Sequence, residues 1–436
     1  MIYIRLLAGA IVPLLSAGLC THAQTVMTLQ EIFESAELNS AQLRPAISAI
    51  TEAEQEISVS KAAMLPEIEA KLSLSYIGDG FTTKRDFSDY QKAPIPHLGT
   101  GLGVTVTQPV YAGGALTTGV RIAELKSSAA RYAADMKRDN IRFQLTGFYL
   151  DLYRYHNLRE VVASNIESAG KMIARMTEMR NQGVLLQNDI TRYELLLSNL
   201  ELKLTSIDNT IAILNNNLIT VAGLPESTVV IPDSTILSRS LPDRASDAWV
   251  STAMENSPAV SLASTGVALS RRGEDMTRSE MLPKIGLQAA WTLDGPILVE
   301  VPPIDRNLSY WYVGVGVSYN ISSLYKSGRS MAKSRLATLR ATEELAATRE
   351  EIDMALRADH IRYLEAYERL KTCDKSAELS ERNYHVISTR YSEGMALITD
   401  LLDAADARLS AQQELVDSRM NILYYYYKLL FISGTI

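Results

Sequence analysis

The chain is predicted to be a mixed α and β membrane protein built as two repeats, each a pair of membrane-length strands followed by one very long helical hairpin. Three observations predict this. The sequence is internally duplicated, it has two long proline-free stretches with helical apolar spacing, and it has four segments in which apolar residues alternate with polar or small ones.

The duplication is read from short motifs. Asn39-Ser40 and Met64-Leu65-Pro66 recur at Asn256-Ser257 and Met281-Leu282-Pro283, a shift of 217 residues. Gly183, Asp189 and Gly223 recur at Gly394, Asp400 and Gly434, a shift of 211. The difference arises because the stretch from Pro66 to Pro109 is six residues longer than that from Pro283 to Asn320. So long a period marks a duplicated domain rather than a solenoid. The repeats are placed at residues 24–225 and 226–436.

Residues 1–23 have the layout of a cleavable export signal: one charge at Arg5, an apolar run from Leu6 to about Leu19, and Thr21-His22-Ala23 before Gln24. Leu19 is larger than the residue that usually precedes a lipidated cysteine, which argues against an anchor at Cys20. Once the signal is cut, Cys373 is the one remaining cysteine, so no intrachain disulfide can form and Cys373 reads as an inert packing residue. With a net charge of −7 and no lysine or arginine cluster, the chain has no electrostatic footprint for nucleic acid. The five histidines, His22, His97, His156, His360 and His385, show no metal-ligand spacing. Without a nucleophile motif, phosphate loop or cofactor fingerprint, the chain does not read as an enzyme.

No proline lies between Pro109 and Pro225, or after Pro303. In the first stretch Ile141, Leu145, Phe148, Leu152, Tyr155, Leu158 and Val162 form one helical stripe, and in the last Leu402, Ala405, Leu409, Gln412 and Val416 keep the same rhythm. A helix from Gly114 to Gln182 would run about 100 Å at about 1.5 Å per residue, a length that implies a coiled-coil-like assembly. Gly183 and Gly394 are predicted to be hairpin tips, giving hairpins over about 114–222 and 328–433. A glycine tolerated inside one unbroken helix is the alternative, and the twofold occurrence of the break argues against it.

Strands are predicted at about 67–77, 100–110, 284–293 and 309–320. Ile68, Leu72, Leu74 and Tyr76 alternate with Glu67, Lys71, Ser73 and Ser75, and Trp311, Val313, Val315 and Val317 alternate with Tyr312, Gly314 and Gly316. The segments have the roughly 9–11 residues that a tilted membrane strand needs. Tyr76, Trp291, Tyr310, Trp311 and Tyr312 are candidates for an aromatic girdle at the lipid interface. A soluble sheet with one buried face would alternate in the same way. The export signal and the helix lengths favour the membrane. Four strands cannot close a barrel alone, and an open edge cannot face lipid, so several chains must share one barrel. Two chains would bring eight strands with a filled lumen. Three would bring twelve with room for a channel, and the long helices make sense only around an open pore.

Together these residues resemble the TolC-like outer membrane factors. The resemblance rests on the duplication, Leu65-Pro66 and Leu282-Pro283 ahead of the strands, and Gln108-Pro109-Val110-Tyr111-Ala112-Gly113-Gly114 before a long helix. It rests also on the tip Tyr391-Ser392-Glu393-Gly394 with Asp400-Leu401-Leu402-Asp403-Ala404 beyond it. It implies a homotrimer in the outer membrane of a Gram-negative cell, with a twelve-stranded barrel continuous with a periplasmic α-helical barrel. An equatorial region of shorter helices would use about 28–39 and 229–256. The implied function is an exit duct for efflux or type I secretion. Its partners would be a periplasmic adaptor and an inner-membrane pump of RND, ABC or MFS type. A periplasmic coiled-coil adaptor without a pore is the alternative, and the four strands argue against it.

The resemblance also implies site roles. Asp400 and Asp403, three apart and so on one helix face, would form an acidic ring at the periplasmic entrance. Both could equally be solvated acids that favour the helix dipole. Asp189 and Tyr391 fall where the family has polar links that close the entrance. The arginine that the family places two residues after the tip glycine is Ala396 here, and an Arg192 to Asp403 pair is the expected substitute. Gly183, Val184, Gly394 and Met395 would be the adaptor contacts. The tyrosine run at Tyr424 to Tyr427 is expected to place some rings between helices and others toward the lumen.

Overall fold

The computed structural model describes residues 24–436 except 239–240, 242–244 and 301. The export signal and Cys20 lie outside the described residues. In chain order the elements are β1 (Gln24–Met27), α1 (Leu29–Asn39), α2 (Arg44–Ala62), β2 (Glu67–Tyr76), β3 (Gly80–Thr82), β4 (Gln91–Ala93), β5 (Leu98–Ala112), α3 (Ala115–Asn181) and α4 (Gln187–Ala222). There follow β6 (Val229–Pro232), α5 (Thr235–Ser238), α6 (Ser246–Asn256), α7 (Pro258–Ser279), β7 (Lys284–Gly295), β8 (Leu308–Ser318), α8 (Ser323–Ser392) and α9 (Ile398–Ile432). They fall into two compact units, each drawn from both repeats. One takes the chain up to Gln42 with Asn140–Asp243 and Asp359–Leu429, and the other takes Leu43–Asp139, Arg244–Ala358 and Leu430–Ile436.

The second unit holds a four-stranded antiparallel sheet in the order β2-β5-β7-β8, so β2 and β8 are edges with no further partner among the described residues. Its register sorts the side chains into two faces. Leu72 pairs with Leu102, Leu102 with Leu293, Trp291 with Trp311, Ala289 with Val313 and Leu287 with Val315, and these share one almost wholly apolar face. The other face carries Glu67, Glu69 and Lys71 on β2, Gly99, Gly101 and Gly103 on β5, and Gly314 and Gly316 on β8. Among the described residues nothing covers the apolar face: Leu72 is 72% exposed and Val315 68%. A register shift between Pro109 and Tyr111 puts the proline at a bulge, where its missing N–H is tolerated. The hairpin β3–β4 projects beyond the end of β2, with Phe81 stacked on Tyr90.

The first unit contains both hairpin tips. Its core is formed by Val162, Met172 and Met176 of α3, Ile190, Tyr193 and Leu200 of α4, Tyr384 and Tyr391 of α8, and Leu401 and Ala404 of α9. Of the expected α3 stripe, Ile141, Leu145, Leu152 and Val162 are buried, while Phe148, Tyr155 and Leu158 are only partly so. On α9 the stripe is rotated: Leu401, Ala404, Arg408 and Ala411 are buried, while Leu402 and Leu409 are only partly so. The helix is contacted on more than one side, and Arg408, polar in any pattern count, lies on the buried face. In this unit α1 starts at a capping box in which Glu31 N–H donates to Thr28 Oγ1 and Thr28 N–H donates to Glu31. The parallel pair β1–β6 is fastened by Tyr149, whose hydroxyl donates to Met27 O at 2.9 Å and accepts from Asp233 N–H at 2.7 Å.

Four helices end alike. Gly183, Gly223, Gly394 and Gly434 all have φ between 69° and 76°, and the residue after each donates its N–H to a carbonyl five positions back. This is the left-handed helix end that glycine adopts without strain. At Gly223 and Gly434 packing adds a second constraint. A Cβ on Gly223 would lie 2.7 Å from Asn39, and one on Gly434 would lie 2.7 Å from Asn256 O. The repeated glycines therefore close on the repeated Asn-Ser ends of α1 and α6, which accounts for two of the motifs that betray the duplication.

Several elements differ from expectation. α8 begins at Ser323, five residues before Gly328, because the turn at Asn320, whose side chain accepts from Ser322 N–H at 3.1 Å, starts the helix. The stretch from Val229, expected as helix, opens with β6. The helices α2 and α7 and the β3–β4 hairpin were not anticipated. Cys373 is buried and free. Of the tyrosine run, Tyr426 and Tyr427 are buried and Tyr424 is the most exposed. Among the described residues no helix is long and apolar enough to cross a membrane.

Candidate functional site

The tips are built by local rules. After each tip glycine the chain takes a short turn whose residues alternate between solvent and core. Val184, Leu186, Met395 and Leu397 are 63 to 72% exposed, whereas Leu185, Ala396 and Ile398 pack on the core. Nothing lies within 4 Å of a Cβ added at Gly183 or Gly394, so space there is open to an approaching partner.

Asp189 and Asp400 each occupy the third position of their helices, α4 and α9. Asp400 accepts the N–H of Leu397 at 3.1 Å, satisfying one of the orphan donors at the helix start. Asp400 thus has a structural role as an N-terminal acid, and its second oxygen is left for other work. Asp403 stands one turn further on and is exposed, as is Arg192. Among the described residues the two do not pair within a protomer.

Tyr391 and Asp189 come together across the hairpins. Tyr391 is buried, and its hydroxyl makes no hydrogen bond within the chain. Burial, and secondarily the neighbouring Asp189 carboxylate, push its ionisation up to about 12. The pairing is one of proximity and not of a formed hydrogen bond.

The girdle candidates divide by strand parity. Trp291 and Trp311 are direct cross-strand partners on the apolar face, and the Trp291 indole N–H donates to Ser309 Oγ at 3.0 Å. Tyr76 shares that face at the end of β2, where it stacks on His97. Tyr310 and Tyr312 alternate with Trp311 and project from the opposite face, pairing with Thr292 and Ala290. They cannot belong to the same lipid-facing belt.

Residues 249–435 match the outer membrane efflux protein family, a match that spans nearly the whole second repeat of a chain whose first repeat follows the same plan. The second half of the chain is thus similar to that family. Solved structures of the same fold cover the chain almost completely. The outer membrane protein VceC of Vibrio cholerae is 14% identical, with 93% of this chain and 96% of that one covered at a TM-score of 0.76. The CmeC outer membrane channel of Campylobacter jejuni is 14% identical over 93% and 85% of the two chains at 0.70. The MtrE outer membrane channel of Neisseria gonorrhoeae, solved in its open state, is 13% identical over 93% and 88% at 0.68. No curated relative matches.

One feature of the chain escaped sequence reading. Arg408 is buried at the centre of a polar cluster that draws on α3, α4, α8 and α9. An arginine flanked by Ala404, Ala405 and Ala411 on the buried face was the available signal, since small neighbours leave room for a long polar side chain.

Proposed function

We propose that the protein is the outer-membrane exit duct of a tripartite efflux or type I secretion system, working in the outer membrane and reaching into the periplasm. The observation that carries this reading is the four-stranded sheet with two unpaired edges and one exposed, almost wholly apolar face. Edge donors and acceptors cannot be left facing hydrocarbon, so β2 and β8 must be met by further copies. Three copies bring twelve strands and an open lumen, whereas eight strands leave a lumen that side chains fill. The glycines Gly99, Gly101, Gly103, Gly314 and Gly316 favour the open form, because the face opposite the lipid then projects little into the pore. Leu195, Leu202 and Ile213, 60 to 70% exposed on α4, supply further apolar surface for neighbouring copies.

In this assembly the two repeats, 24–225 and 226–436, give six near-equivalent units around one pore. Asp400 and Asp403 of three chains form an acidic ring at the periplasmic entrance, where crowded carboxylates favour cations. Asp189 and Tyr391 face each other between the hairpins of one chain, and Arg192 pairs with Asp403 of a neighbouring copy. Gly183 with Val184 and Gly394 with Met395 dock the periplasmic adaptor, and an inner-membrane pump drives the cargo. Trp291, Trp311 and Tyr76 form the lipid girdle, while Tyr310 and Tyr312 line the pore. Mass in detergent and current across a planar bilayer test the reading together. A trimer that conducts ions in discrete steps supports it; a chain that carbonate washes from membranes and that carries no current sinks it.

A further inference from the structure

The duplication supplies a template for contacts between copies. With shifts of 217 residues ahead of the strands and 211 beyond them, α7 is the counterpart of α2, and the start of α8 that of α3. Within the chain α3 packs on α7, where a Cβ on Gly119 would lie 4.0 Å from Met276 Cε. That seam is uncharged. Thr118 and Ile122 flank Gly119 on α3, and Gly273 and Leu269 line up with Met276 on α7 at helical spacings of three and four. Thr118 is buried and the other three are partly so. Their counterparts on α8 and α2 are charged: Thr118 and Ile122 answer to Arg329 and Lys333, and Leu269 and Gly273 to Glu52 and Glu56. All four charged residues are exposed, and among the described residues none has an ion pair or hydrogen bond. Nearby charges are already engaged. Glu54 meets Arg131 of α3 at 2.7 Å, Lys326 lies over the Tyr325 ring, and Arg340 is 3.7 Å from Glu344. The levels of the four also match. Glu56 and Glu52 stand eleven and fifteen residues before β2 begins at Glu67, and Arg329 and Lys333 stand eleven and fifteen after β8 ends at Ser318.

We propose that α2 of one copy and α8 of the next form a charged seam, Glu56 against Arg329 and Glu52 against Lys333, that selects which helices meet when copies assemble. The proposal rests on the duct reading, in which β2 of one copy meets β8 of another, and adds the rule by which partners are chosen. Exposed ion pairs contribute little stability, so the seam acts mainly by penalising wrong neighbours. Against α8 of another copy, Arg329 and Lys333 would meet like charge; against α7, they would meet Leu269 and Gly273. At these positions α2 alone supplies carboxylates. The division follows from connectivity. Inside the chain covalent linkage already brings α3 and α7 together, and only the seam between chains has a partner to choose.

Charge exchange tests this in the full chain. Arg329→Glu with Lys333→Glu, or Glu52→Lys with Glu56→Lys, should each lower the yield of trimers at low ionic strength by at least about tenfold, read as mass in detergent. A chain carrying all four changes should recover the parent yield, because the signs are exchanged but still opposite. Produced together with the parent under a different affinity tag, that fourfold variant should sort into trimers of its own, whereas two differently tagged parents mix. Reversals on one helix that assemble at the parent yield overturn the seam. So does a fourfold variant that mixes with the parent as freely as the parent mixes with itself. Loss on reversing α8 that reversal of α2 does not relieve also overturns it, and assigns Arg329 and Lys333 to lipid phosphates. A parent that is monomeric in detergent and passes no current overturns the duct reading, and the seam with it.

Discussion

Trp291 and Trp311 stand directly opposite each other across β7 and β8, on the face that also carries Val313, Val315 and Val317. The position of that face predicts how the sheet responds to charge. Val315→Arg places a guanidinium against lipid near the middle of the strand and should cost about 2–4 kcal/mol. Gly314→Arg, one residue away on the other face, should cost far less and should lower conductance instead. Heat-modifiable migration on a gel reads the first effect and bilayer current the second. Equal loss of folded protein in both variants would contradict the assignment of faces.

Tyr391 sets an alkaline limit on the entrance. Its folded-state ionisation, pushed up to about 12, lies above the value of about 10 for a free tyrosine. A group with a raised pKa contributes stability that is complete below pH about 10 and disappears as pH rises through about 12. Tyr391→Phe removes this contribution and also a buried hydroxyl without a partner. The variant should be as stable as the parent at neutral pH and should lose less stability between pH about 10 and 12. Thermal melting across that range checks it.

Asp400 and Asp403 should separate by role. Asp403→Asn is expected to lower cation selectivity with no effect on stability, measured as a shift of reversal potential in a salt gradient. Asp400→Ala is expected to lower selectivity and also to cost about 0.5–2 kcal/mol, because the Leu397 N–H loses its acceptor.

Gly394→Ala should cost about 1–2 kcal/mol from left-handed backbone strain alone, since open space surrounds the position. Gly394→Asn, a residue that tolerates this conformation, should recover most of that stability. If the tip docks an adaptor, both variants should weaken binding of a purified adaptor, Asn as much as Ala. Binding that follows stability and not side-chain bulk would assign the glycine to turn formation only.

Much of the fold was legible because long elements carry many repeats of their period. The α3 stripe and the four long strands could be read from alternation, and the tip glycines from their twofold occurrence. The helix α2 carries a short stripe, Ala46, Ile50, Ala53 and Ile57, but it buries none of its residues fully and exposes Ile47 and Val59, which blurs the period. The strands β3 and β4, three residues each amid Lys84, Asp86, Ser88 and Asp89, are too short for alternation to appear. At the tips, Asp189 and Tyr391 are near each other but the expected polar link between them is not formed. Treating Tyr310, Trp311 and Tyr312 as one girdle neglected that neighbours on a strand face opposite ways. Arg408 was invisible because its burial depends on partners more than 200 residues away, such as Asn165.

The two free edges of the sheet also have a consequence for how the protein is made. A newly exported chain cannot complete its β-structure by itself, because β2 and β8 stay unsatisfied until other chains arrive. If further copies complete the barrel as proposed, folding of the sheet and assembly become one concentration-dependent event. During transit its bare edges and apolar face would invite mispairing. In the proposed assembly, chains produced faster than they meet at the membrane should therefore yield aggregates and not monomers.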